Sequence, residues 1–539
     1  MERRLNLTKF FMTTIAGQVL TPWQHHQHRW TATYEQRLFD RMAWAVEYVR
    51  QHAQQSNQVR DHFESLLALL RAAHARSALH PIALDLIEAL HLLPARWGHW
   101  SEWEIELRFA AHLAEQLGQP DRQAVFLANL AHVLITLGQL DETITISTLA
   151  IDLARQQQSI EPWAVAGAAL IAAYLSRGDT EQAQQVWATL DAERHSFVTA
   201  SAAAQRIAQS QLGLRHIDFL NRSGQNETAL EECGALIATL ETLPAAPFDL
   251  LANIHSWCGV LFYHLGQYEA ALTAVQRAQQ LGRQAGDVAF VAGELANLGM
   301  IYMNLGDLDR AVAAFEQAVM ELKHFKALGQ YLNAVGTLGA VYLLRGELDQ
   351  AFSCLTEQLA LADGLHYVRE TARALSNRGA VLMYQGRHAE GLCDIEACQT
   401  LLLAQGRRVV YIGSLVDLAY CCAQLGETTR AQRAAQDALH QADELGLLNL
   451  RLIALRCLAQ IDPANHQHER LREALALARQ LKRRLDEAGC LLSLAGATAV
   501  DTERTQLWNE GVSLLQQCGA RAWLAGHSPD HPPFIAMTL

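Results

Sequence analysis

Nine turn segments recur along this chain on a nearly fixed beat. Their glycines are Gly98, Gly138, Gly178, Gly224, Gly266, Gly306, Gly346, Gly386 and Gly426, at intervals of 40, 40, 46, 42, 40, 40, 40 and 40 residues. Self-similarity at one period over so long a stretch restricts the fold to a repeat array, because each beat must then be the same supersecondary unit. Two further beats are weaker. His466 lies forty residues past Gly426 and Gln506 forty beyond that, both in turn-like surroundings without the glycine.

Within one beat the apolar spacing is that of two helices. Leu295, Leu298, Gly299 and Tyr302 recur at helical intervals before the turn, and Ala311, Phe315 and Ala318 after it. Gly306 is predicted to end the first helix in the left-handed conformation that glycine adopts cheaply. Asp307 or Asp309 then supplies the acidic start of the second helix. Gly299 and Ala311 are small enough for the two helices to approach closely, and Phe315 fills the gap toward the next unit. One such hairpin cannot bury its apolar faces alone, whereas stacked neighbours can. The expected fold is all-α, a right-handed superhelical solenoid of about eleven antiparallel helix pairs.

At these residues the sequence resembles the tetratricopeptide repeat family. The match runs through Leu298, Gly299, Tyr302, Leu305, Gly306, Leu308, Ala311, Phe315 and Ala318. It recurs through Leu338, Gly339, Tyr342, Gly346, Leu348 and Ala351, and through Gly259, Phe262, Gly266, Tyr268, Ala271 and Ala278. The period of 40 is longer than the family's usual ~34 and is similar to the kinesin-light-chain-like and bacterial regulator arrays, including those associated with STAND-type NTPases. The unit near Gly224 departs, with His216 and Ile217 where Leu-Gly is expected, and Gly391 stands where Ala is usual.

The organisation predicted is a poorly defined segment over 1–30, an atypical helical region over 31–120, the repeat array over 121–500, and capping helices with a tail over 501–539. The region around Trp44 and Phe63 resembles the helices that precede repeat arrays in large bacterial signalling NTPases, but no phosphate-binding loop is present. Trp97, Trp100 and Trp103 are expected to pack an end unit.

Composition excludes several classes. The net charge is −13, against the basic footprint of a nucleic-acid binder. The ten cysteines show no C-x-x-C pair, so no zinc site is expected, and a reducing cytoplasmic compartment is the simple reading. No stretch reads as a membrane span; the best candidate, 162–176, has 15 uncharged residues. His25, His26 and His28 read as a polar linker and not as metal ligands. The basic stretch from Arg470 to Arg484 is interleaved with Glu473 and reads as a solvated helix face. No nucleophile, glycine-loop or metalloprotease motif is found, so no catalytic residue, cofactor or metal is assigned.

The resemblance implies where a partner would sit. In the family, an Asn two residues before the small residue of the first helix holds the backbone of a bound segment. One amide offers donors and an acceptor to a peptide group without reading its side chain. The matching positions are Asn129, Asn297 and Asn377; one turn earlier lie Asn253, Asn333 and Arg373, and Tyr384 extends the face. The expectation is a non-enzymatic scaffold or sensor binding a protein or peptide, without nucleic acid or membrane, and a possible homo-oligomer. The alternatives are a peptide-responsive regulator or a detached sensor arm of an NTPase system, and an enzyme with an unrecognised site in the first 120 residues.

Overall fold

The computed structural model describes the backbone of residues 13–15, 18–20, 22–52, 56–324, 328–364, 368–404, 408–462, 466–525 and 527–529. The chain forms two compact units, Met1–Leu261 with Arg277–Val288, and Phe262–Gln276 with Ala289–Leu539. The first unit opens with a small antiparallel hairpin, β1 (Thr13–Ile15) and β2 (Gln18–Leu20), in which Thr13 faces Leu20. Helices α1 (Pro22–His52), α2 (Ser56–Arg60) and α3 (Phe63–His74) follow. The segment holding His25, His26 and His28 is therefore the start of α1 and not a linker; those side chains lie outside the described residues.

The pairs then begin. The first is α4 (His80–Leu90) and α5 (Leu93–Arg96) against α6 (Trp100–Gln116). Next come α7 (Pro120–Thr136) with α8 (Leu140–Gln156), α9 (Ile160–Arg177) with α10 (Thr180–Glu193), and α11 (Ala202–Arg222) with α12 (Asn226–Glu241). The chain passes between units along α13 (Phe248–His264) and α14 (Tyr268–Ala285). Then follow α15 (Val288–Leu305) with α16 (Leu308–His324), α17 (Leu328–Arg345) with α18 (Leu348–Gly364), and α19 (Val368–Tyr384) with α20 (His388–Ala404). The last are α21 (Arg408–Gln424) with α22 (Thr428–Glu444), α23 (Leu448–Ile461) with α24 (Gln467–Gln480), and α25 (Arg484–Ala497) with α26 (Asp501–Gln517). The fold is an all-α superhelical repeat of antiparallel helix pairs.

The turn chemistry is as the spacing requires. All nine beat glycines have positive φ, from +71° at Gly266 to +87° at Gly178. At Gly306 the chain reverses through hydrogen bonds from the Gly306 N–H to Met303 O and from the Asp307 N–H to Tyr302 O. Asp307 then caps α16, its Oδ1 accepting from the Arg310 N–H at 3.2 Å. His466 takes the same left-handed conformation, φ +59°, without being glycine. Gln506 is a correction: it lies inside α26, because the pair of α23 and α24 is short and the beat contracts there.

Close approach within a pair is set by missing methyl groups. A Cβ at Gly299 would stand 2.5 Å from the Phe315 ring, one at Gly339 2.8 Å from Leu355, and one at Gly379 2.8 Å from Ile395. Gly391, the odd residue in its unit, faces Gly379: a Cβ there would meet the Gly379 carbonyl at 2.9 Å. Phe315 is buried both against its own pair and against Leu338 and Val341 of the next. Trp97, Trp100 and Trp103 are all buried, and Trp97 meets Phe63 edge-on.

First helices touch first helices along the stack, α7 with α9, α9 with α11, α17 with α19, α19 with α21 and α21 with α23. Among the described residues no two consecutive second helices make a comparable contact, so within each unit the stack curves with its first helices inside. In the second unit the curve closes. The Leu308 N–H donates to Cys518 O at 3.3 Å, and the Trp523 indole N–H donates to Leu344 O at 2.9 Å. Leu515, Ala520 and Trp523 join the core of Leu308, Phe315 and Leu344. The chain end thus does more than cover the last pair; it docks on pairs far earlier in sequence. Among the described residues one helix, Val288–Leu305, is long and apolar enough to cross a membrane, which the sequence reading did not single out. That helix is the first helix of a repeat and carries Glu294 and Asn297.

Candidate functional site

The inner faces of the two units hold the residues expected to meet a partner. In the second unit, Asn297 is half-buried and donates its amide to Glu294 Oε1 at 3.0 Å, on its own helix. Asn333 is exposed on α17, and its Oδ1 accepts from Arg373 of α19 at 2.7 Å. This bond links equivalent positions of consecutive pairs, forty residues apart. Asn377 is half-buried and makes no hydrogen bond with a described residue. Tyr384 packs edge-on against Trp523, ring centroids 4.8 Å apart, and beside Tyr420 at 6.4 Å. The docked chain end therefore covers part of this face.

In the first unit the Asn positions are engaged. Asn129 is 3 % exposed, with its amide 3.1 Å from His91 Nδ1. Asn253 donates to the Asp249 carbonyl of its own helix at 2.8 Å. Around them lies a polar cluster that sequence reading missed. His91 sits where the first helix breaks between α4 and α5, at φ +46° and ψ −120°, a conformation that L residues rarely adopt. Arg96 reaches Asp249 at 2.6 Å, from the first pair to the start of α13. Arg215 of α11 has its Nε buried without an acceptor. His132 is exposed on α7, and the chain around it, with the Arg215 and Arg96 charges, pushes its imidazole down to about 4. Enclosure also lowers His91 and the Arg215 guanidinium. Arg96 and Asp249 lie 153 residues apart in sequence, and the stacking of the pairs brings them together.

The basic stretch behaves as a salt-bridged face. Arg479 pairs with Glu487 at 2.7 Å and Glu510 at 2.9 Å, and Arg483 pairs with Asp486. Arg456 is buried at 1 % exposure against Asp486, 3.1 Å away, with Gly489 leaving room for its guanidinium. A second-unit cavity of about 100 Å³ is lined by Tyr268, Met303, Asn304, Leu344 and the 481–486 turn.

The family model described as "Tetratricopeptide repeat" matches residues 295–320, the stretch where Gly299 meets Phe315. The chain carries tetratricopeptide repeats. Among solved structures, the repeat fold is similar to the apo form of RapI, at 12% identity over 66% of this chain and 97% of that one, with a TM-score of 0.50. It is also similar to the apo quorum sensor NprR from B. thuringiensis, at 14% identity over 65% of this chain and 97% of that one, and to NprR in complex with its cognate peptide NprX, at 15% identity over 65% and 98%. The TM-scores there are 0.48 and 0.47. None of the curated proteins matches the sequence. The likeness to RapI concerns the fold alone.

Proposed function

We propose that this tetratricopeptide protein is a non-enzymatic scaffold or sensor that holds an extended protein or peptide segment along the first helices of its second unit. The observation that carries the reading is the row of amide and guanidinium groups at equivalent positions. Asn297 and Asn377 stand at one level, Asn333 and Arg373 at the level one turn earlier, and the Asn377 amide is unspent. Neighbouring packed helices lie ~8–10 Å apart, which is about three residues of extended chain at ~3.3 Å each. A bound segment would therefore meet Asn333 and Arg373 about three residues apart, and Asn297 and Asn377, two pairs apart, about six. Met383 is 2 % exposed and belongs to the core, and Met303 packs half-buried against it from the cavity side.

The regulator reading has its own support. Tyr384 is covered by Trp523, so a segment running the length of this face would compete with the docked chain end. The enzymatic reading has less support: in the first unit Asp249 is paired with Arg96 and Asp218 with Arg222.

The test is a random-peptide array probed with purified protein. Asn297→Ala combined with Asn377→Ala is expected to lose the peptides that the parent retains, with helicity and melting midpoint unchanged. Retention of the same peptides at the same strength by the double variant would remove the groove assignment.

A further inference from the structure

Where the second unit closes, two turns from opposite ends of its sequence come face to face. The 481–486 turn, between α24 and α25, stands over the end of α15, and together they wall the cavity of about 100 Å³. A Cβ at Gly306 would lie 3.7 Å from Arg484 Cδ, so the Arg484 stem passes over the Gly306 turn. Tyr268, Asn304 and Leu344 complete the walls, all within the one unit. A single water needs only ~10–15 Å³ of such space, so the cavity has room for a larger guest. Lys482 and Arg484 are exposed, and solvent therefore reaches it.

The charges that line this cavity do not balance. Lys482, Arg483 and Arg484 stand against one carboxylate, Asp486, which Arg483 and the buried Arg456 already hold. Arg484 donates to the neutral Gln517 amide, and Lys482 forms no hydrogen bond or ion pair with a described residue. The acids of the facing turn are spent, Asp307 on Arg310 at 3.4 Å and Asp309 on Arg345 at 3.5 Å. Two positive charges are left over. Lys482 also keeps its place against its backbone preference, at φ +55°. Gly118, Gly286 and Gly446 occupy the same step between one pair and the next, with Gln158 the other exception. A residue with a Cβ held in the left-handed region is strained, and such strain gathers where a side chain is used.

We propose that this cavity is a phosphate site, in which Lys482 and Arg484 hold a phosphate dianion and so tie the 481–486 turn to the Gly306 turn. Two surplus cations match a dianion, with the guanidinium offering paired N–H donors and the ammonium a point charge. Tyr268, whose hydroxyl makes no hydrogen bond with a described residue, adds a donor. Met303 and Leu344 present an apolar side on which the carbon of a small phosphate monoester can lie. The dianion is therefore free phosphate or such a monoester. Because its walls come from both ends of the curve, the guest binds the closed form more tightly than an open one and favours the docked chain end that covers Tyr384.

Thermal unfolding midpoints of the full chain would be measured with low-millimolar sodium phosphate and glycerol 3-phosphate, each against sodium chloride at matched ionic strength. A rise with both identifies free phosphate as sufficient; a rise with glycerol 3-phosphate alone identifies a monoester. Lys482→Gly is the decisive variant. It relieves the strained φ, so without anion it should melt no lower than the parent, yet bind the responding anion roughly tenfold or more weakly. Arg484→Met, which keeps the stem over Gly306, should lose the response as well. In hydrogen exchange the anion should slow the Gly306 and 481–486 turns and leave those at Gly386 and Gly426 unchanged. Asn297→Ala with Asn377→Ala should respond as the parent does, so failure of the groove reading and failure of this site are distinguishable. No midpoint rise with either phosphate, an equal rise in Lys482→Gly, or uniform slowing at all four turns overturns the proposal.

Discussion

A Cβ at Gly299 would stand 2.5 Å from Phe315, whereas one at Gly234, inside α12, would meet nothing within 4 Å. The same substitution is therefore expected to have opposite signs. Gly299→Ala forces the ring aside and should destabilise by about 1–3 kcal/mol. Gly234→Ala should stabilise by about 0.5–1 kcal/mol, because glycine in an open helix loses more freedom on folding than alanine. Denaturant midpoints of the two variants measure this, and two shifts of the same sign would count against the packing described. The role of Gly299 was legible because its counterparts Gly339 and Gly379 repeat it at 40 residues. Gly167 and Gly213 were not, since they do the same work one turn earlier, against Leu190 and Leu236, where the pattern was not sought. The bond between His91 and Asn129 was beyond a local reading, because no spacing rule joins the break between α4 and α5 to α7.

Among elements, α26 and the turn after it decide how the second unit ends. Trp523 is 8 % exposed, donates to Leu344 O and packs against Tyr384. Gly306 and Gly346 carry a second duty there. A Cβ at Gly306 would lie 3.1 Å from Cys518 Sγ, and one at Gly346 3.1 Å from the Trp523 backbone nitrogen, while the turns at Gly386 and Gly426 are open. Trp523→Ala should cost about 3–5 kcal/mol of local stability, as for other large aromatic truncations. Faster proteolysis within 484–525, with the rest of the chain unaffected, would show it; unchanged resistance would mean that the indole holds nothing. The helix pairs themselves were legible from the glycine beat, and this long-range contact was not, because nothing in the periodicity says which pairs meet when the curve closes.

Taken as a whole molecule, the array buries its thiols as ordinary core. Cys393 is exposed and Cys354 half-buried, whereas the other eight are buried. Burial pushes Cys398, Cys421 and Cys490 up to about 12, which keeps them protonated and inert at neutral pH. One thiol is expected to react promptly with an aromatic disulfide reagent, and the buried ones only as denaturant opens the stack. Prompt reaction of most thiols in native buffer would contradict a close-packed array. Hydrogen exchange followed by mass spectrometry tests the stacked and closed arrangement most directly. The first helices α17, α19 and α21 should exchange slowly, and the turns at Gly306 and Gly346, beneath the docked chain end, should exchange more slowly than those at Gly386 and Gly426. Equal exchange at all four turns, or rapid exchange through α17 to α23, would contradict it.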